Sequence, residues 1–309
     1  MKIIDCVIIG SGPAGYSAAI YLARSNIKHL IYTGDIPGGQ LINTTRIDNY
    51  PGYSKGILGI KLMNEMYKQA IKFGSIVKFN KILKVSFKKK KNYLYTNNKE
   101  KIITKSVIIA TGSLPKKLKI KSEKKYLGYG ISYCATCDGM IFKNKIVAVI
   151  GGGNTALENT ILLSNICKKI YLIVRNNKFK ASKIFIKKIY KKKNVKILFN
   201  KIIIKFKGKK ILKSINYKNK INNKINNLKV SGVFISIGNY PNTLLFKKKI
   251  KMDNNGYIIT KSKSTKTNKK GIFAAGDVQD KIYKQAITSA GSGCMAALDV
   301  EKYLNYYYY

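Results

Sequence analysis

Cys134 and Cys137 stand two residues apart in the run Tyr133-Cys134-Ala135-Thr136-Cys137-Asp138-Gly139. That spacing serves two chemistries. As half of a zinc site it needs two further ligands, but the chain has a single histidine, His29, and no second close cysteine pair. As a redox pair it suits a disulfide that opens and closes, with one thiolate stabilised by its surroundings. Asp138, directly after the second sulfur, could move a proton to or from a departing thiolate. Taken alone, the same aspartate reads as a helix cap or turn residue. The remaining cysteines, Cys6, Cys167 and Cys294, lie in apolar or glycine- and alanine-rich contexts that suit small buried hydrophobes.

A redox pair needs elements that hold it and deliver electrons to it, and two segments with the same grammar flank this one. The apolar run at residues 3–9 meets Gly10-Ser11-Gly12-Pro13-Ala14-Gly15, followed by a helical pattern over residues 16–25. The run at residues 146–150 meets Gly151-Gly152-Gly153-Asn154-Thr155-Ala156, followed by a helical pattern to Ser164. Strand, glycine turn and helix form the context in which a G-x-G-x-x-G/A pattern binds a dinucleotide. The glycines allow the tight turn and the approach of a pyrophosphate, and the helix N-terminus supplies N–H groups and a positive dipole end.

Two such sites imply two dinucleotides, one resident and one delivering electrons. The expected fold is α/β, with two Rossmann-like three-layer nucleotide-binding domains, the second inserted in the first. Strands are expected at residues 105–110, 232–237 and 271–277, each closing on glycine. They set the expected boundaries: residues 1–115 and 243–309 for the outer domain, and 116–242 for the insert. The lysine- and asparagine-rich stretch 207–229 reads as exposed hairpins of the insert.

Composition narrows the function class. Lys and Arg total 60 against 13 Asp and Glu, a formal net charge of +47. Such a balance often marks a nucleic-acid or anionic-surface partner. Here the excess is nearly all lysine, since the arginines are only Arg24, Arg46 and Arg175. The lysines are scattered, with small knots at residues 88–91, 187–193 and 247–249, and asparagine, isoleucine and tyrosine are abundant too. All four share A/T-rich codons, so compositional drift accounts for them together, and no specific nucleic-acid partner is expected. No apolar run reaches 18 residues, so no membrane span is expected. The apolar start is broken by Asp5 and runs into the glycine motif, which fits a buried strand and a cytoplasmic location.

Cys-Ala-Thr-Cys-Asp-Gly between two nucleotide motifs resembles the active site of the low-molecular-weight thioredoxin reductases. Further matching stretches are Gly38-Gly39-Gln40-Leu41, Asn49-Tyr50-Pro51-Gly52, Ala110-Thr111-Gly112, residues 271–278 and residues 285–298. The resemblance implies FAD in the outer domain, with its pyrophosphate held by Gly10, Ser11, Gly12, Pro13, Ala14 and Gly15. Thr33, Gly34, Asp35, Ile36, Pro37, Gly38, Gly39 and Gln40, with Asn49, Ala110, Thr111 and Gly112, would line the rest of that cofactor. Asp277, Val278, Gln285 and Ala286 would meet its ribityl chain and ring.

NADPH is implied in the insert, at Gly151, Gly153, Asn154, Thr155 and Ala156, with Gly238 closing the last strand. The resemblance further implies that Cys137 faces the flavin, Cys134 attacks the disulfide of a thioredoxin, and Asp138 donates the proton. The insert would rotate about hinges near residues 114–117 and 240–243, and the chain would form a homodimer. The C-x-x-C argues against the similarly folded ferredoxin–NADP reductases. One departure stands out. Where the family carries an arginine-rich stretch ending Phe-Arg-Ala, this chain has Val174-Arg175-Asn176-Asn177-Lys178-Phe179-Lys180-Ala181. Arg175 and Lys180 would then be left to hold the 2′-phosphate, lysine doing so as a point charge without the bidentate fork.

Overall fold

The computed structural model describes residues 3–44, 46–88 and 91–308; Met1, Lys2, Thr45, Tyr309 and, from the lysine knot at residues 88–91, Lys89 and Lys90 lie outside them. Two compact units emerge: residues 1–114 with 240–309, and residues 115–239. The described α-helices are α1 (Pro13–Arg24), α2 (Gly59–Lys72), α3 (Ala135–Asp138), α4 (Asn154–Ser164), α5 (Lys183–Tyr190) and α6 (Ala286–Tyr307).

The discontinuous unit is built on a seven-stranded sheet. The strands Ile76–Lys78, His29–Tyr32, Ile4–Ile9 and Lys101–Ile109 lie side by side in parallel, and Ile272–Ala274 adds a further parallel strand beside Lys101–Ile109. Ile82–Phe87 and Asn92–Thr96 extend the sheet as an antiparallel meander. The first strand shows why its sequence is apolar without alternation. Cys6 and Ile8 enter the core beneath α1, α2 and α6, whereas Val7 and Ile9 enter a second core with Leu94, Val107, Phe246 and Ile258. A strand buried on both faces reads as a continuous apolar run. Helices α1 and α6 pack without intervening side chains, since a Cβ at Gly293 would lie 2.1 Å from the Ala14 carbonyl oxygen. Of the terminal tyrosines, Tyr303 and Tyr308 pack on this core while Tyr306 is 80% exposed.

The inserted unit repeats the three-layer plan. Its parallel sheet runs in the order Ile131–Ser132, Gly232–Ile235, Ile146–Ile150, Lys169–Ile173, Val195–Leu198. Val147 and Val149 face α4 and α5 residues such as Leu157, Leu163 and Ile189. Ala148 and Ile150 face the other way, onto Phe206, Leu212 and Ile215. Those three belong to an antiparallel sheet of Lys201–Gly208, Leu212–Asn219 and Ile225–Lys229. The stretch expected as exposed hairpins is therefore a structural layer with one buried face. Its lysines occupy the alternate, outward positions, which is why charge dominates the sequence.

The one histidine is a core residue. His29 is 6% exposed, with Nδ1 2.8 Å from the Ile27 carbonyl and Nε2 2.8 Å from the Ser75 hydroxyl. Burial lowers its pKa, opposed by the Ile27 bond. The folded chain thus binds this proton less readily than the unfolded chain does, so unfolding takes up a proton once the pH falls below the unfolded value of about 6.5. Acidification from pH 7.5 to 5.5 should lower Tm, and His29→Gln should remove that part of the slope. A His29→Gln chain with an unchanged slope between these pH values would contradict the assignment.

Candidate active site

In the discontinuous unit, the first glycine turn leaves the end of the Ile4–Ile9 strand, with the Gly10 N–H donating to the Tyr32 carbonyl at 2.8 Å. Gly10 has φ +110, and a Cβ there would sit 2.2 Å from the Ala110 carbonyl oxygen; a Cβ at Gly15 would sit 2.0 Å from the Gly10 oxygen. These two glycines let strand and helix close up. At Gly12, by contrast, a Cβ would meet nothing within 4 Å. Gly12 also caps α1 with no side-chain bond, and no acid occupies the first turn. Open space before uncapped helical N–H groups is a cradle for phosphate.

The 33–40 segment is tied to this turn through Ser11, whose hydroxyl accepts the Gly38 N–H at 3.1 Å and donates to the Thr33 carbonyl at 3.4 Å. Gly39 presses on Gly12, since its Cβ would lie 3.2 Å from the Gly12 Cα. Asp35 is exposed and paired with Lys81 at 2.5 Å, and Ile36 is also exposed. Thr111 donates to the Asn242 carbonyl at 2.8 Å, and Asn49 donates to the Gln285 side chain at 3.2 Å. Asp277 accepts from Ser113 at 3.1 Å and Ser289 at 3.0 Å; burial pushes its pKa up while these bonds oppose the shift. Val278 is fully buried in the second core, so only its backbone is available to a ligand. Gln285 and Thr288 cap the start of α6 reciprocally, just before Ala286. The set fits a dinucleotide such as FAD: a phosphate cradle at the turn, with polar backbone and side-chain groups on either side.

In the inserted unit, the Gly151 N–H donates to the Ile173 carbonyl at 3.0 Å. Gly153 caps α4, again without a side-chain bond and without an acid in the first turn. The loop after Lys169–Ile173 folds back onto this turn. The Lys180 N–H donates to the Gly152 carbonyl at 2.7 Å, and the Ser182 N–H to Asn154 Oδ1 at 2.8 Å. Arg175, Lys180 and Thr155 are exposed. The arrangement fits a second dinucleotide, with Lys180 anchored by its backbone beside the phosphate cradle. Gly238, at φ +97, accepts the Lys116 N–H at 2.9 Å.

Cys134 and Cys137 form a disulfide with their Cα atoms 5.3 Å apart. Cys134 is the N-cap of α3, its sulfur accepting the Cys137 N–H at 3.2 Å and lying 3.2 Å from the Thr136 hydroxyl. The Tyr133 hydroxyl donates to the buried Glu123 at 2.5 Å. Ser132 donates to Asp138 Oδ2 at 2.5 Å, and Asp138 Oδ1 is buried with no hydrogen-bond partner. Burial pushes the Asp138 pKa up, with the Ser132 bond opposing. A carboxyl whose pKa is raised beside a disulfide is better equipped than a solvated one to hand a proton to a leaving sulfur.

Helix α4 connects the two features of this unit. Its N-terminus carries the nucleotide cradle, while Leu162 and Leu163 near its far end lie within 4 Å of the Cβ position of Gly139, just after the redox pair. Eight or nine residues of helix separate these points by about 13 Å.

The model of the pyridine nucleotide-disulphide oxidoreductases matches residues 4–293. A thioredoxin reductase of Rickettsia typhi is 46% identical, over 99% of this chain and 100% of that protein. One from Buchnera aphidicola subsp. Schizaphis graminum is 49% identical over 97% and 96%. The chain belongs to the thioredoxin reductase family. Among solved thioredoxin reductases, that of Streptococcus pyogenes matches with a TM-score of 0.94 at 34% identity, covering 99% of each chain.

Several residues that shape these sites went unread in the sequence. Ser113 and Ser289 hold Asp277 from 164 and 12 residues away, distances at which no local pattern speaks. Asn154, read as part of a phosphate motif, has a further part in the site: its Oδ1 accepts the Ser182 N–H and holds the following loop against the turn. Ser132 could have been noticed, since it stands two residues before Cys134.

Proposed function

We propose that the chain reduces the disulfide of a thioredoxin with electrons from NADPH, and that the Cys134–Cys137 pair is the exchanging group. The observation that carries the residue assignment is a partly exposed disulfide beside Asp138, whose second oxygen is buried and unpartnered. FAD would be held by the discontinuous unit, residues 1–114 with 240–309, and NADPH by the inserted unit, residues 115–239. The chemistry that FAD would supply when bound is acceptance of a hydride from NADPH and relay of two electrons to the Cys134–Cys137 disulfide.

The chain's own residues do the rest. Cys134, whose sulfur is supported by the Cys137 N–H, attacks the partner disulfide and forms a mixed disulfide. Cys137 then attacks Cys134, restoring the internal bond and releasing the partner as a dithiol. Asp138 supplies a proton to a departing thiolate and recovers it from water. One flavin face could not meet a nicotinamide and the Cys134–Cys137 disulfide at once, so the insert would have to present them in turn. Hinges at residues 114–117 and 240–243 serve this motion.

The working enzyme is a cytoplasmic homodimer. Among the described residues, no helix is long and apolar enough to cross a membrane. The surface charge is a solvated shell, without a specific nucleic-acid site. NADPH oxidation coupled to the appearance of thiols on an oxidised thioredoxin tests the activity directly, and no thiol release above a protein-free control would refute it.

Arg175 and Lys180 set the preference between nicotinamides. No acid stands between Lys168 and Ala181 to bind a ribose 2′-hydroxyl as an NAD enzyme's would. Arg175→Ala should raise KM for NADPH by about tenfold, as expected for one charge-assisted contact, and barely change KM for NADH. Steady-state kinetics with both nicotinamides decide it; equal loss with both, or a wild-type chain preferring NADH, removes the assignment.

A further inference from the structure

Ser132 ends the strand Ile131–Ser132 and is 6% exposed. Its oxygen accepts the Cys134 N–H at 2.9 Å, lies 2.5 Å from Asp138 Oδ2 and lies 3.2 Å from the Cys134 carbonyl oxygen. The Asp138 N–H donates to that same carbonyl at 3.2 Å. A single hydroxyl therefore closes a ring through the backbone of one cysteine and the side chain of the acid. A hydroxyl has one proton to give. With Asp138 ionised, that proton belongs to Oδ2. With Oδ1 protonated, Ser132 still donates to Oδ2 and still accepts the Cys134 N–H, so the proton stands on the oxygen that the ring leaves free. The ring is satisfied either way, and only Oδ1 is left without a partner.

We propose that Ser132 is the positioning residue for proton transfer at the disulfide, fixing the Asp138 carboxyl so that Oδ1 is the atom that exchanges the proton and stabilising the carboxylate left behind. This rests on Asp138 being the proton donor proposed above. The step balances as follows. Two electrons, ultimately from NADPH, break the Cys134–Cys137 bond and leave two thiolates. The proton on Oδ1 moves to one sulfur, the other sulfur keeps its charge, and the carboxylate is held by the Ser132 hydroxyl until water returns a proton.

Within the inserted unit, no other described group takes over this role. Burial raises the Asp138 pKa, and the Ser132 bond is the one influence opposing it. Helix α4 meets the turn with Leu162 and Leu163 and carries its carboxylate, Glu158, exposed. Lys143 and Lys145 beyond the turn are exposed, and Tyr133 is engaged with Glu123. The two cysteines are joined in the disulfide and become titratable only when it opens.

The test uses full-length, flavin-loaded protein with ¹³C-labelled aspartate. The infrared carboxyl band of Asp138, identified by its loss in Asp138→Asn, is titrated alongside the pH profile of kcat/KM for thioredoxin reduction. Ser132→Ala should move the band's midpoint up by about one pH unit, the scale of one hydrogen bond to a charged group, and the matching limb of the profile should move with it. Ser132→Thr, which keeps the hydroxyl, should restore both. If Ser132→Ala does not fold, Ser132→Cys, a weaker donor, should shift the midpoint the same way. An unmoved midpoint with Asp138→Asn still slow overturns the role of Ser132 alone. Full thioredoxin reduction by Asp138→Asn overturns the proton-donor reading and this proposal with it.

Discussion

Cys134→Ser should lower the rate of thioredoxin reduction by at least about a thousandfold, because a serine hydroxyl at neutral pH is neither ionised nor a match for a thiolate as nucleophile. NADPH-dependent bleaching of the flavin absorbance should persist within about twofold of wild type, since hydride delivery precedes the thiol steps. The comparison separates two faults that a single assay merges. Loss of both activities would indicate a damaged fold or cofactor site. Near wild-type thioredoxin reduction by Cys134→Ser would refute the exchange chemistry outright.

The second expectation contrasts two glycines of one turn. At Gly12 a Cβ meets no protein atom within 4 Å, and the backbone is extended at φ −69 and ψ −174. Gly12→Ala should therefore fold normally but bind FAD at least about tenfold more weakly, because the methyl fills the space left for the pyrophosphate. At Gly15 a Cβ would lie 2.0 Å from the Gly10 carbonyl oxygen, a backbone atom fixed in the strand-to-helix turn. Gly15→Val should lose flavin and also several degrees of Tm, because α1 must move off the sheet. Flavin absorbance per chain and the melting of the flavin-stripped proteins distinguish the cases. A stripped Gly12→Ala chain that melts as low as Gly15→Val would show that Gly12 serves the fold and not the ligand.

The sequence carried the parts whose signal is local. Each nucleotide turn lies within a strand, a turn and a helix start, so about 20 consecutive residues state it. Helix α4 ends at the expected Ser164, though it begins at Asn154, inside the glycine motif and three residues before the helical pattern expected after Ala156. The disulfide is likewise written in four consecutive residues. What escaped depends on partners far along the chain. The apolar positions of residues 201–229 alternate with lysine, and only the opposing sheet, with Ala148 and Ile150, shows which side is buried. Asp277 was read as a ligand to the flavin, but the two serines that orient it come from the Ser113–Pro115 strand and α6. Asp138 could be suspected of acid chemistry from its neighbours, yet the burial that raises its pKa is a property of the packed turn.

The contact between α1 and α6 also bears on how the chain is made. Gly293 seats α6 on Ala14, near the other end of the sequence, and the strand Ile272–Ala274 joins the sheet through residues 107–109. On the ribosome, the N-terminal segment therefore emerges with its helix-facing core uncovered and must wait for nearly the whole chain. The inserted unit is contiguous in sequence from residue 115 to 239 and can close as soon as it clears the exit tunnel. Synthesis should thus proceed with the later-encoded unit folded first and the earlier-encoded one held open, its apolar strands exposed for the time needed to add about 190 residues, some 10 to 40 seconds at ordinary elongation rates. The discontinuous unit is thus the one whose apolar surface stays uncovered longest during synthesis.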